Sequence, residues 1–192
     1  GVLITTYMSG IVGQSDNVYL GGYPGPLREM AGVWVEEIDA LAPEQKNKAK
    51  FADGSEAECG LLCDLMHLEG AEALAAYEED FYAGMPAASR NSYGKGTTYY
   101  IATMFEEDGL AKILDQAVSE AGVHPVIPEQ TGLEVVTRVS DTTRFYYVLN
   151  FTDEEQVLPE SLAGKKDMIN GKKTETGMKL KKWDVLLLEE NL

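Results

Sequence analysis

Three side chains that could bind a metal or act as nucleophile and base lie close together in the sequence. Cys59, Cys63 and His67 are spaced four residues apart, which places them on one side of a helix or a strand. A structural zinc site uses four ligands at a recognisable spacing, and the chain has one further histidine, His124. We interpret the cysteines as small apolar side chains of a buried strand. The sequence therefore predicts no metal and no cofactor.

The same cluster allows a second hypothesis, a hydrolase with a cysteine nucleophile. His67 and Glu69 form the His-x-Glu pattern of glutamine amidotransferases. In those enzymes the cysteine occupies a glycine-flanked elbow far upstream of the histidine, and neither Cys59 nor Cys63 has such an elbow. An amidotransferase-like hydrolase is the least favoured alternative.

Neighbouring carboxylates are the other residues that could do chemistry. They occur in two runs, at residues 36–39 and 78–80. A glycosidase needs two carboxyl groups about 5.5 Å or about 6.5–9.5 Å apart across a sugar site. Adjacent acids in a chain with 32 of them are usually solvated surface groups. The spacing assigns none of them to catalysis, and the sequence predicts no catalytic residue.

A loop rich in glycine and proline precedes the first of these carboxylate runs. Residues 20–28 contain three glycines and two prolines, which exclude a helix and most strand pairing, and they match neither common phosphate-binding motif. In and beside the loop lie residue types that are enriched at protein interfaces: Tyr19, Tyr23, Arg28 and Trp34. We interpret them as a candidate subunit-interface loop, with a rigid structural crossing as the alternative.

Short apolar runs predict several strands around this loop. The predicted strands cover residues 2–7, 61–68, 72–77, 86–91 and 97–103. A glycine turn at 93–96 joins the last two, so we expect three consecutive strands in one sheet. Residues 29–41 are ambiguous between helix and strand, and residues 42–58 are predicted to be a polar surface excursion.

Residues 107–121 form the clearest helix in the sequence. Its apolar residues recur at the spacing of one buried face, at Leu110, Ile113, Leu114, Ala117, Val118 and Ala121. Gly122 supplies the stop, and a strand-like run follows at 123–127. A strand, a helix and a further strand predict an α/β unit in the first two thirds of the chain.

The last third of the chain has a different residue pattern. Pro125 and Pro128 mark a boundary, after which short β-type runs alternate with turn residues. The runs are 134–139, 144–151, 155–158, 178–180 and 185–189. We expect a small antiparallel β-sandwich there.

Composition limits the class of partner. The 192 residues carry a formal net charge of -16, with 44% hydrophobic and 25% charged residues. This is the composition of a soluble globular protein, and its acidity argues against nucleic acid and anionic membranes as partners. The N-terminal residues do not resemble a signal peptide, and two cysteines fit a reducing compartment. We therefore expect a cytoplasmic protein.

Several strings, taken in order, resemble one family. They are TYMSGIV at 6–12, LGGYPGPLRE at 20–29, VEEIDAL at 35–41, EGAE at 69–72, DFYAG at 80–84 and RNSYGKG at 90–96. Together they look like the middle domain of bacterial β-galactosidases of glycoside hydrolase family 42. The string LNFT at 149–152 resembles the small C-terminal β domain of the same enzymes, though less specifically.

The resemblance implies a three-part enzyme of which this chain is the last portion. The parts are a (β/α)8 barrel with two catalytic glutamates, an amidotransferase-like α/β domain used for trimerisation, and a small β domain. Residues 1–127 are expected to be the C-terminal portion of the trimerisation domain, with a flavodoxin-like sheet and helices. Residues 128–192 are expected to be the small β-sandwich domain.

The function implied is assembly rather than catalysis. The full-length relative would hydrolyse terminal non-reducing β-D-galactosyl residues with retention, and β-galactosides would bind only through the absent barrel. If half of an α/β sheet is missing, the strand edge at 2–7 is exposed, so we expect a homo-oligomer or a swapped arrangement. An independent carbohydrate-binding module, with Trp34, Trp183 and ten tyrosines available for stacking on sugars, is the main alternative.

Overall fold

A computed structural model describes residues 1–129 and 131–192 of the chain. They divide into two compact units, Gly1–Val123 and His124–Leu192. No helix within the described ranges is both long enough and apolar enough to cross a membrane.

The first unit is built on a mixed sheet of eight described strands. These are β1 (Val2–Thr6), β2 (Val33–Ala40), β3 (Asn47–Phe51), β4 (Glu56–Leu68), β5 (Glu72–Tyr77), β6 (Pro86–Tyr93), β7 (Gly96–Ile101) and β8 (Thr103–Phe105). Their order is β1-β7-β6-β5-β3-β4-β2, with β8 paired to β4. Strand β1 runs parallel to β7, whereas the pairs from β7 across to β2 are antiparallel.

Two helices accompany this sheet in the part of the chain that the structure describes. Helix α1 (Arg28–Ala31) is one turn long, follows a 3₁₀ turn at Gly25–Leu27, and ends at Gly32 in the left-handed conformation. Helix α2 (Glu107–Glu120) confirms the predicted helix. Its buried face is narrower than expected, because Leu110 and Val118 are 37% and 43% exposed while Ile113 is buried.

Side chains alternate between the two faces of the sheet, which gives the unit two apolar clusters. Along β7, Tyr99 and Ile101 join a cluster that contains both cysteines and the buried side of α2. Tyr100 joins a second cluster, which contains residues of β2 and Tyr23 of the glycine-rich loop. The loop is therefore anchored to one face of the sheet, and the helix packs on the other.

The second unit contains six short strands among its described residues. They are β9 (Glu134–Val139), β10 (Thr143–Leu149), β11 (Gln156–Val157), β12 (Lys166–Asp167), β13 (Lys179–Leu180) and β14 (Val185–Asn191), with a 3₁₀ turn at Glu160–Leu162. Four form an antiparallel sheet in the order β12-β14-β10-β9, and β11 pairs with β13. Nine buried apolar residues, including Val148, Leu162 and Leu188, form its core.

The predicted α/β, flavodoxin-like fold is wrong. Strands hold 44% of the residues and helices 13%. The predicted strands 2–7, 61–68, 72–77, 86–91 and 97–103 do form, but hairpins join β5, β6 and β7, and a hairpin needs no crossover helix. One clear helix between two strand-like runs is not sufficient evidence for a parallel sheet covered by helices, because each parallel pair would need its own crossover connection.

Two local predictions also fail. Residues 42–58, predicted as a surface excursion, contain β3 and the first residues of β4. Alternation of exposed lysines with buried Asn47, Ala49 and Phe51 marks β3 as a half-buried strand. Residues 123–127, predicted as strand-like, lie outside the strands because Pro125 stands within the segment and Gly122 and Pro128 flank it.

Candidate functional site

A small hairpin projects ahead of the glycine-rich loop. The amide of Tyr19 donates to the carbonyl of Ile11 (2.9 Å), the amide of Gly13 donates to that of Asn17 (2.9 Å), and Val12 pairs with Val18 between them. We call residues 11–20 the tip. Its apolar side chains face solvent: Val12 is 47% exposed, Val18 63% and Leu20 97%. Clustered exposed apolar residues on an ordered segment are typical of an interaction surface.

Glycines hold the base of the tip in a close-packed arrangement. A Cβ on Gly25 would lie 2.5 Å from Cδ2 of Tyr19, and one on Gly10 would lie 2.5 Å from the carbonyl oxygen of Pro24. Both glycines have positive φ, at +35° and +64°. The ring of Tyr19 and the backbone at Pro24 therefore pack where a side chain would otherwise stand.

Tyr23 fixes the loop to the sheet. Its carbonyl accepts a 2.7 Å hydrogen bond from the amide of Val35 in β2, and a cis peptide bond links it to Pro24. Its hydroxyl donates to Oδ1 of Asp64, 3.4 Å away. Burial and the neighbouring Asp64 both raise the pKa of Tyr23, so the phenol is a neutral donor.

Asp64 is a fully buried acid in the middle of β4. The hydroxyl of Tyr100 donates to its Oδ2 at 2.6 Å, which complements the longer contact from Tyr23. Burial raises the pKa of Asp64 to about 7, although both tyrosine hydrogen bonds favour the ionised carboxylate. The loop is thus tied to an acid that titrates close to neutral pH.

Arg28 closes the loop against the turn after β4. Its guanidinium makes a bidentate pair with Glu69, at 2.6 Å and 2.5 Å, and donates to the carbonyl of Gly21 at 3.2 Å. The hydrogen bonds from Arg28 lower the pKa of Glu69. Both side chains are about 40% exposed, so the pair orients the loop more than it stabilises the unit.

Trp34 packs at the base of the glycine-rich loop, against His67 and Arg28. Its ring stacks on His67 with centroids 4.8 Å apart, and the guanidinium of Arg28 lies 5.5 Å from its centroid. His67 in turn contacts Glu36, with Nε2 and Oε2 2.8 Å apart. A Cβ on Gly22 would lie 2.0 Å from the indole nitrogen. Trp34 is therefore a packing residue of the loop base and a poor platform for a sugar ring.

The predicted interface residues thus divide by position. Tyr19 is partly exposed at the base of the tip, whereas Tyr23, Arg28 and Trp34 make internal contacts that hold the loop. The exposed apolar residues Val12, Val18 and Leu20 were missed. The sequence holds a weak signal for this hairpin, because one valine precedes the turn at 13–17 and another follows it. So short a strand pair shows no measurable alternation of apolar and polar residues.

The cysteines and His67 do not form one site. Cys59 and Cys63 are free and fully buried, with Sγ of Cys63 3.6 Å from the Thr103 hydroxyl, whereas His67 lies with Trp34. Hydrogen bonding to the Cys63 thiol and burial raise the pKa of Cys59. Within residues 1–129 and 131–192, no three His, Cys, Asp or Glu residues have a metal-binding arrangement.

Comparison with known proteins identifies the family. Residues 1–124 match the family model described as "Beta-galactosidase trimerisation domain", and residues 132–190 match "Beta-galactosidase C-terminal domain". The chain belongs to the β-galactosidases of glycoside hydrolase family 42 and corresponds to their trimerisation and C-terminal domains, as the sequence predicted.

Individual relatives agree with this assignment. The chain is 46% identical to "Beta-galactosidase LacA" of Lactobacillus acidophilus and 39% identical to "Beta-galactosidase BgaA" of Planococcus sp., covering 98% of this chain and 28% of each relative. A crystal structure of the β-galactosidase from Bacillus circulans sp. alkalophilus superposes with a TM-score of 0.88 at 37% identity, covering 99% of this chain and 29% of that one. The chain spans under a third of the length of these relatives.

Proposed function

We propose that this chain is the non-catalytic assembly region of a trimeric, cytoplasmic β-galactosidase, whose full-length form hydrolyses terminal non-reducing β-D-galactosyl residues. In this proposal residues 1–127 belong to the trimerisation domain and residues 128–192 to the small C-terminal domain. The family match and the name of its first domain support self-association. Two free, buried cysteines are consistent with a reducing compartment.

The observation that carries the proposal is the apolar tip on its fixed base. Val18 and Leu20 expose most of their surface, yet the backbone beneath them is hydrogen-bonded and packed around glycines. An ordered apolar segment can enter a neighbouring subunit without losing much conformational entropy on binding. We therefore assign the subunit contact to the tip, and the positioning of the tip to Tyr23, Arg28 and Trp34.

Charge also favours an apolar contact. Copies of a chain with a net charge of -16 repel one another, so association needs a source of free energy other than long-range electrostatics. Burial of exposed apolar surface supplies it, at about 25 cal/mol per Å². Near the tip, the Arg28 guanidinium is already paired with Glu69 and leaves little positive charge to attract an acidic neighbour.

Sedimentation equilibrium of the chain tests the proposal. We expect a trimer for the unmodified chain and dissociation for the double variant Val18→Asp, Leu20→Asp, because two buried carboxylates oppose the contact. Val139→Asp, at a valine of the second unit with an exposure similar to that of Val18 (58% against 63%), is the control and keeps the trimer. A monomeric unmodified chain, or a double variant that is still trimeric, contradicts the proposal.

The non-catalytic part of the proposal has its own test. The purified chain is incubated with a nitrophenyl β-galactoside at concentrations that give a strong signal with a full-length relative. We expect release of nitrophenol at the rate of the enzyme-free control. A rate above that control, which the tip variants leave unchanged, would show that the chain carries its own catalytic groups.

A further inference from the structure

A buried asparagine organises two loops at one end of the second unit. Asn150 is fully buried and follows β10. Its Nδ2 donates to the carbonyls of Glu154 (2.8 Å) and Leu180 (3.0 Å), and its Oδ1 accepts from the amide (3.0 Å) and hydroxyl (2.7 Å) of Thr152. Its backbone pairs with Trp183 and Asp184 at 2.8 Å and 3.1 Å. One side chain with every hydrogen-bonding position filled thus fixes both loops.

These two loops present a pair of aromatic rings to solvent. Phe151 is 54% exposed and Trp183 63% exposed, with ring centroids 5.8 Å apart and planes inclined by 66°. Trp183 has a positive φ of 68°, which is unfavourable for a bulky residue. The carboxylate of Asp184 holds the turn by accepting from the amide of Lys181 at 2.7 Å. The backbone that carries both rings is therefore fixed, while the rings themselves stay exposed.

Charged groups border the rings. The ammonium of Lys182 lies over the Trp183 ring, 5.0 Å from its centroid, and pairs with the exposed carboxylate of Asp153. Their polar atoms therefore lie next to the aromatic surface, where they can donate to and accept from a ligand that contacts the rings. A ligand with an apolar face and hydrogen-bonding groups at its edge matches this arrangement.

We propose that Phe151 and Trp183 form a binding site for a pyranose ring of a carbohydrate. The C–H face of the sugar packs on the exposed part of the Phe151 and Trp183 rings that the Lys182 ammonium leaves uncovered, and its hydroxyl groups bond to Lys182 and Asp153. A hydroxyl can replace the water on these charged groups, whereas an apolar protein partner would leave them desolvated. Phe151 and Trp183 are not among the residues assigned to the subunit contact above, and the proposal does not depend on that contact.

The size of the surface also favours a small ligand. An aromatic side chain buries about 150–250 Å² when fully covered, so two half-exposed rings offer roughly 150–250 Å². A stable protein interface needs about 800 Å² from each partner. A second copy of the chain would therefore have to use the neighbouring sheet face, including exposed Tyr147 and Val185, in addition to the rings.

Titration with sugars tests the site in the full chain. The probes are methyl β-D-galactopyranoside and β-galacto-oligosaccharides, followed by calorimetry and by tryptophan fluorescence in a Trp34→Phe background, where the signal comes from Trp183. We expect saturable binding, with at least a tenfold weaker association constant for Trp183→Gly. Glycine suits the positive φ, so this variant removes the ring while the turn is kept. Ile169→Ala, at another exposed apolar residue of the unit, is the control and binds as the parent does.

The alternatives give different results. Absence of saturable binding with every sugar tested overturns the proposal, as does unchanged binding by Trp183→Gly when its melting temperature equals that of the parent. If Trp183→Gly and Val185→Asp lower the sedimentation coefficient while sugar binding is undetectable, the rings are a contact between copies and the carbohydrate site is wrong. Weaker binding by Asp153→Asn with an unchanged sedimentation coefficient supports it.

Discussion

Replacement of Asp64 by asparagine isolates the effect of one buried carboxyl on stability. The folded unit raises the pKa of Asp64 from 3.8 to about 7. Between these values the unfolded chain has released the proton and the folded chain still holds it. Since the folded state binds more protons there, the free energy of unfolding falls as pH rises from about 4 to about 7. Asparagine cannot ionise, so Asp64→Asn lacks this dependence.

The size of the effect follows from the shift in pKa. One pKa unit corresponds to about 1.4 kcal/mol, so a shift of three units gives at most about 4 kcal/mol across the window. The amide oxygen of asparagine can still accept from Tyr100, which keeps the shorter of the two hydrogen bonds. We subtract the free energy of unfolding of the parent from that of Asp64→Asn. This difference is expected to increase by about 2–4 kcal/mol from pH 4.5 to pH 7.5.

Urea unfolding at four pH values between 4.5 and 7.5 measures this difference. Both proteins carry Trp183→Phe, so that Trp34 reports on the unit that contains Asp64. Acids with a lowered pKa, such as Glu120, have the opposite pH dependence, because their contribution is lost as pH falls, but they are present in both proteins and cancel. A difference that stays constant within about 0.5 kcal/mol over this range would refute the reasoning.

Three further predictions concern packing. Gly22→Ala, whose Cβ would meet the indole of Trp34, destabilises the first unit by about 2–4 kcal/mol, whereas Gly54→Ala, at a similar φ but in open space, costs about 1 kcal/mol by urea unfolding. Ile113→Ala lowers stability by about 2–4 kcal/mol and Leu110→Ala by less than about 1 kcal/mol, because α2 buries only the first of the pair. Both cysteine thiols stay unlabelled by a disulfide reagent in the native chain and react once urea unfolds it; native labelling would contradict their burial.

The sequence was sufficient to predict elements whose signals are local. Strand β1, the turn between β6 and β7, and helix α2 each depend on residues that are neighbours in the chain, and each forms as predicted. The overall fold was wrong because strand order is set by pairings between distant segments. Strand β3 inserts between β4 and β5, for example, and nothing in its five residues specifies those two neighbours.

The difference between local signals and contacts of distant residues also explains which parts of the candidate site could be predicted. Asp64 stands in a run that was correctly predicted as a buried strand, but Tyr23 and Tyr100, which satisfy it, lie 41 and 36 residues away in sequence. The residue types at Tyr23, Arg28 and Trp34 predict an interface loop, and its role at an interface stays a prediction. Their contacts are internal, however, because aromatic and arginine side chains stabilise a loop through the same interactions that they use at an interface.

In the proposed assembly, the base of the loop acts on association indirectly. Ordering a flexible residue costs about 1–2 kcal/mol, so a disordered tip would lose much of the free energy gained by burying Val18 and Leu20. The tyrosine contact with Asp64 and the pair of Arg28 with Glu69 remove that loss beforehand, since they hold the tip in place in the separate subunit. In this proposal the exposed residues make the contact. The residues that the sequence analysis singled out determine how much of its free energy is lost to ordering the tip.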